Sequence, residues 1–244
     1  IANTRPMFTA RSAVSTVNRN NLIAIPTDSS ATSQNNSILM SLLNARSVCN
    51  KTLEVQDFIL DNGVDVCMIT ESWLKGDSRD DVIVAELTPP GYEIRHKARS
   101  SRGGGVAVLC RKPVGVVSCS KPSFASFEVL ECQLNTTPSL RIAAVYRPPS
   151  NGRQGTEVRT FLTEFADYLE QLVMLPGNIL IAGDFNLHVD IDSDADAVSF
   201  LRSLDSLGLE QCVRGATHCS GHTLDLVITR VKDSLQPVIT ICDS

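Results

Sequence analysis

The sequence predicts an α/β fold of two packed, mostly antiparallel β-sheets flanked by helices. Three observations point there. Apolar strand-like runs alternate with amphipathic segments from Ser37 onward. Several Val- and Ile-rich runs follow one another between residues 91 and 146 with only turns between them. The helical segments carry apolar residues along one face, as a helix covering a sheet requires. A length of 244 residues with 43% hydrophobic content suffices for one large domain with its own core.

Residues 1–36 are rich in Ser, Thr, Asn and isolated Arg, interrupted by the short run LIAIP. They are expected to form a flexible polar leader, with the domain over residues 37–244. ILMSLL then reads as a strand. Asn50 is expected to cap a helix whose Val55, Phe58 and Ile59 share a face and which Gly63 ends. VDVCMIT is the next strand, and residues 91–97, 105–111, 127–135 and 140–146 are four more. Val158, Phe161, Leu162, Phe165, Leu169 and Leu172 recur at helical spacing until Pro176 and Gly177. NILIAGD follows as a strand. Phe200, Leu201, Leu204 and Leu207 mark a last helix closed by Gly208, and two strands are expected at 223–229 and about 237–242.

The formal charge of −5 argues against a protein that coats nucleic acid through bulk electrostatics. A local footprint is compatible with it. Arg95, His96, Lys97, Arg99 and Arg102, then Arg111 and Lys112, gather positive charge in one region, which reads either as a phosphate-contacting surface or as a solvated hairpin. Cys67, Cys110, Cys132 and Cys242 fall inside apolar runs and read as reduced core residues. That usage points to an intracellular protein of cytosol or nucleus, with the nucleus preferred. Cys212, His218, Cys219 and His222 lack the paired spacing of zinc sites and read as a polar turn feeding the next strand. No window is apolar for the ~18 residues of a membrane span, and no membrane partner is expected.

Chemistry concentrates at strand ends. Asn44 follows ILMSLL, Glu71 follows VDVCMIT, Tyr146 follows RIAAV, Asp184 and Asn186 follow ILIAG, and Asp225 lies within TLDLVIT. Each alone is an ordinary turn or strand-end residue. Two packed sheets would bring them to one rim, where a phosphodiester could sit, because phosphoryl transfer needs charge neutralisation and positioning more than covalent help. Magnesium, with manganese as the alternative, suits such a site because it takes oxygen ligands and is held by one or two carboxylates. Glu71 is the natural first ligand, and His188 reads as a loop residue.

The ordered set of Asn44, TESWL (Thr70 to Leu74), RGGGVAV (Arg102 to Val108), YRPP (Tyr146 to Pro149), GDFN (Gly183 to Asn186) and SGHTLDLVIT (Ser220 to Thr229) resembles the endonuclease/exonuclease/phosphatase superfamily. More narrowly it resembles the apurinic/apyrimidinic-type endonuclease domain of non-LTR retrotransposons. The resemblance covers residues 38 to about 230 and implies a four-layer α/β sandwich. It implies a magnesium-dependent phosphodiesterase that nicks DNA, leaving a 3′ hydroxyl for a downstream reverse transcriptase domain of the parent protein. Glu71 then matches the metal-binding glutamate and Asn44 its neighbour in the metal and water network. Tyr146 matches a phosphate-contacting tyrosine, and Asp184 the aspartate that orients water or protonates the leaving oxygen. Asn186 matches an amide that steadies the phosphate, Thr217 a phosphate-binding hydroxyl, and Asp225 a carboxylate that orients a histidine. Arg95, Lys97, Arg99 and Arg102 are the expected nucleic-acid contacts.

The family pattern closes on Ser-Asp-His and a last strand, whereas this chain reads Cys242-Asp243-Ser244 at its end. Neither His96, His188, His218 nor His222 stands in that setting. A C-terminally truncated domain lacking its last strand, with weak or no activity, is therefore expected. The alternatives are a catalytically silent fragment with residual nucleic-acid binding, or a same-fold phosphatase of a small phosphorylated substrate.

Overall fold

The computed structural model describes residues 22–26, 37–101, 103–149 and 154–241. Twelve strands and four helices follow in the order β1 (Leu22–Pro26), β2 (Ser37–Asn44), α1 (Thr52–Asp61), β3 (Val66–Thr70), α2 (Arg79–Leu87), β4 (Tyr92–Lys97), β5 (Val106–Arg111), β6 (Val116–Ser120), β7 (Glu128–Leu134), β8 (Leu140–Tyr146), α3 (Gln154–Val173), β9 (Asn178–Asp184), α4 (Ala195–Ser206), β10 (Leu209–Gln211), β11 (Asp225–Arg230) and β12 (Val238–Thr240). They form two six-stranded sheets, ordered β12-β1-β2-β3-β5-β4 and β10-β11-β9-β8-β7-β6. Each sheet is antiparallel except for one pair, β2 with β3 in the first and β8 with β9 in the second. Parallel neighbours need a crossover. Helix α1 supplies it in the first sheet and α3 in the second, so both sheets are built around a βαβ unit.

Strand periodicity sorts side chains into layers. In β9, Leu180 and Ala182 enter the core between the sheets with Met40, Leu42, Met68 and Val108. Ile179 and Ile181 point the other way, toward Phe161 and Phe165 of α3 and Phe200 of α4. On the far side, Cys67, Ile69, Ala107 and Leu109 pack against Val55 and Ile59 of α1 and Leu87 of α2. Strands covered on both faces read as continuous apolar runs, and every residue of β3, β9 and β11 is buried. Each fully buried Leu, Ile or Phe contributes roughly 1.5–3 kcal/mol.

The structure corrects several local expectations. LIAIP is a strand paired to β2 from Leu22↔Ser41 to Pro26↔Ser37 and to β12 on its other edge, so the leader is not wholly without structure. The rest of residues 1–36 lies outside the described residues. Helix α1 starts after Lys51 with no side-chain cap, not at Asn50, because the Lys51 ammonium instead donates to the Ala45 carbonyl at 2.7 Å and fixes the entry. Helix α2 and strand β6 carry no clear apolar stripe, since Val82 and Val117 are exposed. Cys67, Cys110 and Cys132 are buried as expected, while Cys49, Cys119 and Cys219 are exposed and Cys242 lies outside the described residues.

Candidate active site at the sheet rim

The two parallel pairs end side by side. In the first sheet Asn44 is in register with Thr70, and Glu71 follows. In the second, Tyr146 is in register with Asp184, and Asp184 with Asp225. Asn44 joins the sheets. Its Nδ2 donates to Glu71 Oε1 at 2.9 Å and to Asp184 Oδ2 at 2.8 Å, while its Oδ1 accepts the Arg46 N–H at 3.2 Å. Carboxylates only accept, so this orientation of the amide is the one their charge selects.

Five non-glycine residues among those described have left-handed backbone: Arg46 (φ 44°), Ser47 (φ 88°), Glu71 (φ 52°), Trp73 (φ 59°) and Asn186 (φ 48°). All flank this rim. Such conformations cost about 1–3 kcal/mol each and persist only where the surroundings over-determine them. Here they do. The Ser47 N–H donates to the Glu71 carbonyl at 2.8 Å, Val48 to Ser72 at 3.1 Å, Ser72 to Gly105 at 3.0 Å and Trp73 to Gly104 at 2.8 Å. At Gly105 (φ 83°) a Cβ would stand 2.6 Å from Ser72 Oγ, so the close approach requires glycine. Trp73 Nε1 donates to Glu71 Oε2 at 3.3 Å, and with Asn44 on Oε1 both carboxylate oxygens are oriented.

The second sheet supplies buried acids. Asp184 and Asp225 are each 6% exposed. Burial raises Asp184 to about 6, against the Asn186 N–H that lowers it and with the charge of Glu71 adding to the rise. Burial, then the charge of Asp184, raises Asp225 to about 8, opposed by the Thr217 hydroxyl and by Arg46. Tyr146 is likewise pushed up by burial and by Glu71 and Asp184, so its phenol stays protonated as a donor. Position 183 has no room for a side chain, because a Cβ there would lie 1.8 Å from the Val145 carbonyl oxygen. The following turn is clamped from beneath. Asp184 Oδ1 accepts the Asn186 N–H at 3.1 Å, and Asn186 Nδ2 donates to the Arg147 carbonyl at 2.7 Å. Buried Arg147 donates to the Phe185 and Asn186 carbonyls at 3.1 and 2.8 Å, its guanidinium 5.2 Å over the Phe161 ring.

Among the described residues no ion pair neutralises Glu71, Asp184 or Asp225. Nor do three or more His, Cys, Asp or Glu side chains form a closed metal cage there. Converging oxygen donors with excess negative charge fit a hard divalent cation held by few protein groups and completed by water or substrate. Glu71 and the neighbouring acid Asp184 are the groups that could hold it, with Asn44 orienting both.

The expected residues thus divide. Asn44, Glu71, Tyr146, Asp184, Asn186 and Asp225 come together on the rim. Thr217 is 4% exposed, and its Oγ1 accepts the N–H groups of Leu224 and Asp225 at 3.0 and 2.9 Å. That places it beneath Asp225 rather than open to a phosphate. The basic stretch is largely engaged: Arg95 with Glu93 at 2.7 Å, Arg99 with Glu128 at 3.1 Å, and Lys97 with the Pro122 carbonyl. Arg102 lies outside the described residues. His188 lies against His222 with ring centroids 4.3 Å apart and the rings tilted by 38°, and His222 Nδ1 pairs with Asp190 at 2.9 Å. Trp73, Arg147 and Arg46 are participants that sequence reasoning gave no role, although the first two lie within quoted motifs and Trp73 is the sole tryptophan.

Residues 37–235 match the model of the Endonuclease/Exonuclease/phosphatase family. The chain is 28% identical over 155 residues to the RNA-directed DNA polymerase from mobile element jockey of Drosophila melanogaster, covering 60% of this chain and 14% of that protein's length. Its fold is similar to that of the 3′ phosphatase NExo from Neisseria bound to product DNA hairpin, with TM-score 0.61 and 15% identity over 78% of this chain and 86% of that one. It is also similar to AP endonuclease LMAP from Leishmania major, with TM-score 0.58 and 17% identity over 77% of each. With its fold and nearly the whole described domain matched, the chain belongs to the Endonuclease/Exonuclease/phosphatase family.

Proposed function

We propose that this domain is a magnesium-dependent phosphodiesterase of the retroelement endonuclease type, nicking DNA to leave a 3′ hydroxyl for reverse transcription. One observation carries the reading: the Asn44 amide ties Glu71 to Asp184 across the two sheets, leaving a cluster of acids that no ion pair among the described residues neutralises. The similarity to a mobile-element polymerase supports DNA as substrate and a reverse transcriptase as the neighbouring activity. A bound divalent cation supplies charge neutralisation at the phosphoryl oxygens.

The chain's own residues account for the rest. Glu71 would hold the cation, with Asn44 orienting its carboxylate. Asp184, raised toward neutrality by burial, orients the attacking water or gives a proton to the leaving oxygen, as a group poised near working pH can do. Tyr146 donates its phenolic hydrogen to the phosphate. Asn186, its amide held by the Arg147 carbonyl and by the Asp184 carboxylate, steadies the phosphate from the turn beside it. Thr217 holds Asp225 in place.

The test is nicking of supercoiled plasmid in magnesium, beside phosphate release from a small phosphate monoester, using the chain alone and a longer polypeptide containing it. Glu71→Gln should lower nicking by about 10²–10⁴-fold, the range of a lost catalytic group, with an unchanged melting temperature. Phosphate release without nicking, or full nicking by Glu71→Gln, overturns the proposal.

A further inference from the structure

Beyond the acids, the rim carries Arg46, whose guanidinium forms no ion pair or hydrogen bond among the described residues. Arg46 follows Asn44 by two residues, and its N–H closes a turn onto Asn44 Oδ1 at 3.2 Å. Its own backbone and that of Ser47 are left-handed. The loop is then fastened at Ser47 and Val48 to the carbonyls of Glu71 and Ser72, at 2.8 and 3.1 Å, and from below by Lys51 on the Ala45 carbonyl at 2.7 Å. The position of Arg46 is therefore set as firmly as that of the acids. Yet its side chain is exposed, and among the described residues it makes neither ion pair nor side-chain hydrogen bond.

The contrast with the other arginines near the site is informative. Arg99 pairs with Glu128, and Arg147 is buried beneath the turn at Asn186. A guanidinium held beside an acidic cluster without folding onto any of it lacks its partner in the protein alone. Its charge nevertheless reaches the site, since it opposes the rise of Asp225. We infer that Arg46 is a substrate-binding residue that takes a backbone phosphate of the nucleic acid next to the scissile one. The planar guanidinium fits a phosphodiester by two parallel N–H···O bonds. The acids repel that polyanion, and Arg46 provides the local attraction that seats it. This rests on the phosphodiesterase reading above.

The backbone and side-chain roles of Arg46 separate cleanly, because only the N–H orients Asn44. Binding of a fluorescent DNA duplex would be followed by anisotropy across a salt series, without catalysis, in calcium. Arg46→Ala should weaken binding at low salt by about ten- to a hundredfold, as loss of a charged hydrogen-bonding pair does. It should also flatten the slope of log affinity against log salt by about 0.9, the value of one phosphate contact. Arg46→Lys should retain most of the slope and lose the bidentate part of the affinity. Arg46→Gly, which suits a left-handed backbone, guards against misfolding and should match Arg46→Ala in binding with a melting temperature at least that of the parent. A slope unchanged in both Arg46→Ala and Arg46→Gly overturns the inference while the phosphodiesterase reading stands. Failure of the parent chain to bind DNA at all overturns both.

Discussion

The two sheets share one plan, a parallel pair crossed by a helix, but they hold their functional residues by opposite means. The first sheet presents Glu71, Trp73 and Arg46 on loops with left-handed backbone, half-buried or exposed, tied to each other by backbone hydrogen bonds. The second presents Tyr146, Asp184 and Asp225 as buried strand termini, fixed by the register of β8, β9 and β11. The first half thus stores conformational strain and keeps its groups accessible. The second stores electrostatic cost and keeps its groups rigid. A site that must meet a polyanion and also tune a proton benefits from both, since accessible ligands gather charge and buried acids acquire shifted pKa values.

The comparison breaks most sharply at the glycines. Gly183→Ala in the second sheet would put a Cβ 1.8 Å from the Val145 carbonyl oxygen, backbone that cannot move without separating β8 from β9. A loss of about 4 kcal/mol or more, or no folded protein, is expected. Gly105→Ala in the first meets only a side-chain oxygen at 2.6 Å, on a backbone of φ 83°. It should cost about 1–3 kcal/mol, with nicking falling because the Ser72 and Trp73 anchors shift. Urea melts of the two variants measure the difference. Equal losses would mean that the two halves are not held differently.

The electrostatic half has a pH signature. Asp184 and Asp225 rise from 3.8 to about 6 and about 8, so the folded state binds their protons more tightly than the unfolded chain. Their favourable contribution is complete below pH 3.8. It is lost as pH rises through about 6 for Asp184 and about 8 for Asp225. Without divalent cation, Asp225→Asn should therefore gain stability over the parent by about 2 kcal/mol at alkaline pH and little in acid. Magnesium should stabilise the parent in the alkaline range and not in acid, where protons occupy the same oxygens. Calorimetry at several pH values, with and without magnesium, reads both effects. A parent-minus-variant difference that is flat with pH would sink the assignment of the shift to these acids.

How far the sequence disclosed this division depends on which half is read. Buried strands betray themselves: ILIAGD runs straight into its acid, and β9 is where the pattern places it. Gly-Asp-Phe-Asn also announces a turn, although not that Phe185 would be locked 5.5 Å from both Phe165 and Phe200 and so stiffen it. Convergence of Glu71 with Asp184 was legible only from the ends of their strands and from family resemblance, because the Asn44 contact to Asp184 spans 140 positions. The loop half was less legible. Left-handed backbone at Arg46, Ser47, Glu71 and Trp73 has no residue signature, since glycine or asparagine would be the usual occupants. The basic stretch was only partly legible for a related reason. Charge density along the chain does not reveal that Glu128 of β7 stands across from Arg99, or that Arg95 pairs with Glu93 on its own strand. Exposed edges such as β6, and α2 with its exposed Val82, lack the apolar periodicity on which the rest was read.

The finest test concerns Trp73, where the strained half touches the proposed cation position. Its Nε1 holds Glu71 Oε2 at 3.3 Å, while Asn44 holds the other oxygen at 2.9 Å, so the indole orients a carboxylate already tethered once. Trp73→Phe keeps an aromatic ring against the loop and removes only that donor. A long hydrogen bond to a partly solvated carboxylate contributes about 0.5–1 kcal/mol, equivalent to a two- to fivefold rise in the magnesium concentration that half-activates nicking. The rate at saturating magnesium should stay within about twofold of the parent, because the proposed mechanism places the chemistry on Asp184 and Tyr146 in the other sheet. A drop in the saturated rate with no change in half-activation would instead place the indole against the DNA, making Trp73 a substrate contact and the tether of Glu71 incidental.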